Sequence, residues 1–220
     1  MTIEKARYWA EHMNELSKAD RLWLNNPVII QGLGIAPLVV AATNGVQALY
    51  LSVAVLLMLT PTRVAGAVLR RVFGERSHLL RVLYYAIPAA LCYVGIYLLV
   101  RQMWGVSALQ QLGIYLPLLV CEPLIIRRYR ADSAESAGRA LRRGLYTTLG
   151  YLLVLNGMGL LRELLALGTL YGSPVLSVKL FPLAAQPAGG FILLGVVCAA
   201  WRGRIRAFKR NIYQEVERAQ

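Results

Sequence analysis

The chain is poor in acid, histidine and cysteine. Only 11 of its 220 residues are Asp or Glu, against 24 Lys or Arg, and it has two histidines and three cysteines. Three cysteines without a Cys-x-x-Cys spacing exclude a disulfide scaffold and a zinc ribbon. His12 and His78 stand in segments with nothing nearby that points to catalysis. A Gly-rich phosphate loop and a nucleophile paired with a base are both missing, so the chain has no catalytic site of its own. Any catalysis it takes part in belongs to a larger complex. Charge is also absent from long stretches: none falls between Arg21 and Arg63, nor within 82–100, 102–121, 144–161 and 180–201.

Those stretches, with 57% hydrophobic residues overall, make a membrane protein. A crossing takes about 20 apolar residues, which predicts six spans at 26–42, 45–62, 82–100, 106–126, 144–163 and 183–201. Basic residues obey the same division, with 21 of the 24 on one side of that arrangement; only Arg101, Arg162 and Lys179 fall on the other. The positive-inside rule then places both termini in the cytoplasm. The net charge of +13 is accounted for by this flanking and by contact with an anionic leaflet. No aromatic-basic pattern accompanies it, so nucleic acid is not the expected partner. Three regions are predicted: a mixed-charge amphipathic segment at 1–24, a membrane domain at 25–201 and a basic cytoplasmic tail at 202–220. The first lacks the apolar core of a signal peptide. Its Tyr8, Trp9, Met13 and Leu16 lie near helical spacing, fit for a membrane surface or a partner.

Two of the apolar segments carry nearly the same phrase. Leu33-Gly34-Ile35-Ala36-Pro37-Leu38-Val39-Val40 is matched, with one extra residue, by Leu112-Gly113-Ile114-Tyr115-Leu116-Pro117-Leu118-Leu119-Val120. Gly and Pro interrupt a helix, and freed backbone groups in lipid must find partners in the protein or line a cavity. Six spans in two repeats give three spans each, so the second repeat starts on the opposite side. The expected fold is therefore all-α: six transmembrane helices as two inverted three-helix repeats, the first and fourth interrupted. Interrupted segments in corresponding positions mark a binding site near the midplane. The candidate broken-helix site comprises Gly34, Ala36, Pro37, Gly113, Pro117, Cys121, Glu122 and Pro123.

Longer motifs carry a resemblance. Trp23-Leu24-Asn25-Asn26-Pro27-Val28-Ile29-Ile30-Gln31, running into Leu33–Leu38, resembles the first span of the RnfE/NqrD subunit family of the Rnf and Na⁺-translocating NADH:quinone oxidoreductase complexes. Arg162-Glu163-Leu164-Leu165-Ala166-Leu167-Gly168-Thr169-Leu170-Tyr171-Gly172 resembles the stretch after that family's fifth span, and Gln186-Pro187-Ala188-Gly189-Gly190-Phe191-Ile192-Leu193-Leu194-Gly195 its sixth. The resemblance covers about residues 22–201. It implies an inner-membrane subunit on an electron path coupled to Na⁺ or H⁺ movement. It further implies a homologous six-span RnfA/NqrE-like partner in opposite orientation, other complex subunits, and a 2Fe–2S cluster shared between the homologues through cysteines of their broken helices.

The sequence departs from the family at those cysteines. The two positions are Ala36 and Pro123 here, and alanine cannot ligate iron. Cys121 is the candidate metal ligand, but two residues turn a helix by roughly 200°, so it faces away unless the backbone is unwound; otherwise it is a small buried hydrophobe. Cys92 and Cys198 read as packing residues. Glu122 is either an ion or proton station or a partner for Arg127 and Arg128. Gln31 and Asn44 are placed to satisfy freed backbone groups, Asn156 to join helices, and Arg162 and Glu163 to pair locally or with the following loop. Three functions fit: a conduit subunit of an Rnf/Nqr-type complex, a stand-alone inverted-repeat ion or solute transporter, and a non-redox assembly subunit.

Overall fold

The computed structural model describes residues 3–74, 78–113, 115–118 and 136–218. Among these the chain is mostly helical. Helices α1 (Ile3–Glu11) and α2 (Met13–Ala19) lead into an irregular segment, 20–44, that holds only a short π-helical turn at Pro37–Ala41. Long helices follow: α3 (Gly45–Phe73), α4 (His78–Leu112), the short α5 (Tyr115–Leu118), α6 (Ala137–Leu167) and α7 (Pro187–Glu217). Between α6 and α7 lie a hairpin, in which Thr169–Leu170 pairs antiparallel with Ser173–Pro174, and a 3₁₀ turn at Pro182–Ala185.

Among the described residues, four helices are long and apolar enough to cross a membrane: α3, α4 over Leu83–Ser107, α6 and α7. They coincide with the second, third, fifth and sixth predicted spans but run well past them. Helix α3 continues to Phe73 through Pro61 and Arg63, and α7 passes without a break through the basic tail to Glu217. Hydropathy marks where charge is excluded, whereas a helix ends only where its backbone bonding ends. In α3 it ends at Gly74, whose N–H still reaches the Arg70 carbonyl at 3.0 Å.

The core lies where α3 is held between α4 and α6. On α6 the buried positions Ala140, Gly144, Thr147, Tyr151, Leu155, Met158, Arg162 and Ala166 recur at steps of three and four, one stripe of a helix. Small residues set the approach. A Cβ on Gly159 would stand 2.6 Å from the Ala48 Cβ and 3.0 Å from the Asn44 carbonyl oxygen, so only glycine permits this α3–α6 distance. Hydrogen bonds then fix the register: Asn156 Nδ2 donates to Ser52 Oγ at 2.8 Å, and the Thr60 and Thr148 hydroxyls lie 3.2 Å apart. Small residues with a few polar contacts are how helices associate where lipid leaves no hydrophobic drive.

The N-terminal segment lies on the chain's own C-terminal helix. Trp9 of α1 meets Phe208 of α7 edge to face, with ring centroids 5.8 Å apart. The second predicted interruption is partly within view: α4 breaks at Gly105 (φ 79°) and ends at Leu112, and Gly113 (φ 53°) precedes α5. Cys121, Glu122 and Pro123 lie outside the described residues.

Candidate functional site

Segment 20–44 is the first broken stretch, and its sequence shows why no continuous helix forms. Pro27 and Pro37 lack N–H groups, and Gly34 sits at φ 68°, in the left-handed region. Side chains replace the missing backbone bonds. The Asp20 carboxylate accepts from the N–H groups of Leu22, Trp23 and Leu24 at 2.9, 3.0 and 3.2 Å. Asn26, fully buried, accepts from Val28 and Ile29 and donates through Nδ2 to the Gly150 carbonyl at 2.7 Å. Gln31 Nε2 donates to the Asn25 carbonyl at 3.0 Å, and Asn44 caps α3 by accepting from Gln47 at 2.8 Å. Both thus serve freed backbone groups, as the sequence leads one to expect.

The carbonyls are served from further away. Tyr151 of α6 donates its hydroxyl to the Gly34 carbonyl at 3.0 Å, with its ring over the glycine; a Cβ there would come within 2.4 Å of the ring. From α7, Arg202 Nε donates to Ile29 at 2.8 Å and Trp201 Nε1 to Trp23 at 3.2 Å. At the far end stands Arg162, fully buried on α6. Its Nη1 donates to the carbonyls of Val39 (2.5 Å) and Ala42 (2.7 Å), its Nε to Ala184 (2.9 Å), and its Nη2 to Ala185 (3.3 Å) and Gln186 (3.4 Å). A guanidinium has five N–H donors. Here all five meet backbone carbonyls, so one side chain ties the first broken segment to the 3₁₀ turn before α7.

Glu163, next along α6, holds the other partners. Its Oε2 accepts from the Gly45 N–H at 2.8 Å, at the first residue of α3. Its Oε1 accepts from Thr169 Oγ1 at 2.9 Å and the Gly172 N–H at 2.7 Å in the hairpin. The sequence alone has these two residues pairing locally or with the following loop. The loop contacts of both are present, Glu163 with the hairpin and Arg162 with the 3₁₀ turn, but their reach to segment 39–45 is not visible in the sequence pattern. A signal exists nonetheless: adjacent opposite charges closing an uncharged run of 18 residues (144–161) are costly at membrane depth, and such residues have partners.

The predicted site residues divide as follows. Gly34, Ala36 and Pro37 form the first break, with Gly34 and Pro37 buried and Ala36 exposed. Gly113 and Pro117 flank or lie in the second, whose Leu116 is buried in the same hydrophobic core as Leu33, Leu38 and Val39. Each Leu-Gly-Ile phrase places its glycine at positive φ ahead of a short helical turn, so the sequence repeat is also a backbone repeat. Iron–sulfur ligation asks for thiolates, and Ala36 offers a methyl group; the first break does not fit a cluster ligand. Cys92 and Cys198 are half-buried and pack against the core.

Comparison with known proteins matches this architecture. Residues 16–198 match the family described as "Rnf-Nqr subunit, membrane protein". Among curated relatives, the chain is 36% identical to the E-type subunit of the ion-translocating oxidoreductase complex of Pseudomonas paraeruginosa, covering 82% of this chain and 80% of the relative. The relative of the same name from Edwardsiella ictaluri is 33% identical, over 81% and 80% of the two chains. That from Pseudoalteromonas atlantica is 30% identical, over 90% and 91%. With four apolar helices of crossing length, a braced break in the first apolar segment and a match over most of its length, this chain belongs to the Rnf-Nqr family of membrane subunits.

Proposed function

We propose that this chain is the E-type subunit of an ion-translocating oxidoreductase complex in the inner membrane, where its broken segment forms part of the transmembrane electron conduit or its scaffold. The observation that carries this reading is the exposure of Ala36 at the centre of a segment otherwise braced from α6 and α7. A surface held in place by so many side-chain bonds, yet open at Ala36, is suited to receive another subunit. The proposed arrangement has six crossings as two inverted repeats, with both termini cytoplasmic and segments 26–42 and 106–126 entering from opposite faces. The paired left-handed glycines Gly34 and Gly113 support it. The partner is a homologous RnfA/NqrE-like subunit, which would meet this one across the breaks, with further complex subunits around them.

The alanine at position 36 favours the scaffold role over direct ligation from this break. Cys121, which the sequence puts in the second interrupted segment, is then the thiol of this chain that we assign to a shared 2Fe–2S cluster. Affinity purification from native membranes in mild detergent, with every co-purifying chain identified by mass spectrometry, tests the proposal. Recovery of a second six-span homologue with flavin or iron–sulfur subunits is the expected result. Recovery of the chain alone, or only with itself, would overturn it and bring forward a stand-alone transporter.

A further inference from the structure

A cavity of about 910 Å³ lies at the basic end of α6, between that helix and the N-terminal segment. Five cations line it: Lys18, Arg21, Arg139, Arg142 and Arg143. Two acids, Glu15 and Asp20, share the lining, but the Asp20 carboxylate is engaged by three backbone N–H groups. Five cations against two acids give the lining a net positive charge. Burial, and then the neighbouring charges of Arg63 and Arg143, push the Arg21 guanidinium below its ordinary value. An anion entering this space would relieve that crowding.

The depth of the cavity is set by the sequence of α6. Arg139, Arg142 and Arg143 occupy the turns directly before the uncharged run 144–161, where headgroups give way to hydrocarbon. Trp9 and Tyr146 in the wall are the aromatics that favour this boundary. Below the arginines, Leu145, Leu149 and Leu153 are exposed at 39%, 48% and 47% and recur every four residues, so they form one lane down the outside of α6. A ligand that fits both features is anionic at one end and hydrocarbon at the other. We propose that this cavity holds the phosphate headgroup of an anionic phospholipid, with an acyl chain lying along the Leu145–Leu149–Leu153 lane. Guanidinium groups match phosphate oxygens in geometry as well as charge.

The test uses the full chain, purified in mild detergent, delipidated and titrated with phosphatidylglycerol or phosphatidylcholine, with bound lipid counted by native mass spectrometry. Phosphatidylglycerol binds preferentially. The double variant R139Q/R142Q, at two exposed positions, weakens it roughly 30-fold, from the usual contribution of a basic residue near an anionic lipid. R139K/R142K retains most of the binding, which separates lost charge from lost fold. R204Q/R206Q removes the same charge from exposed positions on α7 and leaves binding unchanged. An equal loss in R204Q/R206Q would overturn the site in favour of diffuse attraction. Equal binding of phosphatidylcholine would overturn the charge requirement. Displacement of the lipid by millimolar inorganic phosphate would overturn the lipid and leave a free-anion site.

Discussion

Replacing Arg162 with methionine keeps a long flexible side chain against Gly190 and Val39 but removes all five N–H donors. Three of the lost bonds are short, at 2.5, 2.7 and 2.9 Å, and the two at 3.3 and 3.4 Å are weak. A hydrogen bond to a charged group contributes about 1.5–3 kcal/mol net. Removing a buried cation also recovers part of its desolvation cost, so the lower figure applies, and three bonds give about 4.5 kcal/mol. For a chain of this length each kcal/mol moves the midpoint by roughly 2–4 °C, so Arg162→Met lowers the apparent Tm in detergent by about 9–18 °C. Tryptophan fluorescence during a thermal ramp reads it directly, with the rings of Trp23 and Trp201 tilted against each other across the same segment at 4.7 Å. Arg162→Lys keeps the charge and three donors and falls between the two. A methionine variant within about 2 °C of the parent, less than a single ordinary hydrogen bond would give, would refute the bracing role assigned to this arginine.

Glu163→Gln presents an amide N–H₂ to donors that a carboxylate oxygen now satisfies, so Gly45 or the Thr169–Gly172 pair loses its acceptor. A loss of about 1–3 kcal/mol follows from one buried donor left unpaired, read in the same thermal ramp. Gly34→Ala puts a Cβ 2.4 Å from the Tyr151 ring at a φ of 68°, and lowers the yield of folded protein; fluorescence-detected size exclusion shows this as a shift to aggregate. Tyr151→Phe, which removes the 3.0 Å bond to the Gly34 carbonyl, costs about 1 kcal/mol. If the purified complex carries an iron signal that depends on this chain, Cys121→Ala abolishes it in electron paramagnetic resonance, and an unchanged signal removes Cys121 from the site.

Much of the first break is legible in the sequence. Gly34 and Pro37 announce it, because no regular helix runs through a left-handed glycine, and the repeat with Gly113 follows from the same chemistry. The kinds of partner that Gln31, Asn44 and Asn156 find are legible too, since a polar side chain in an apolar run has few other uses. What escapes is everything joined across long sequence separations. Tyr151, Arg162 and Arg202 reach backbone carbonyls more than a hundred residues away, and a carbonyl carries no residue identity for a pattern to register. Helix ends are misplaced for a related reason. Arg63 marks the end of an uncharged run, yet it is only 7% exposed and lies inside α3; its charge limits the apolar stretch without interrupting backbone bonding.

The meeting of Trp9 with Phe208 bears on the threading of the whole chain. The proposed arrangement, with both termini cytoplasmic, needs an even number of crossings, and a contact between the first helix and the basic end of the last is what it would produce. Reporters fused at either end should therefore give the same answer about which compartment they occupy. A lone extra crossing by segment 26–42 would separate the ends; it requires a second, compensating passage elsewhere in the chain.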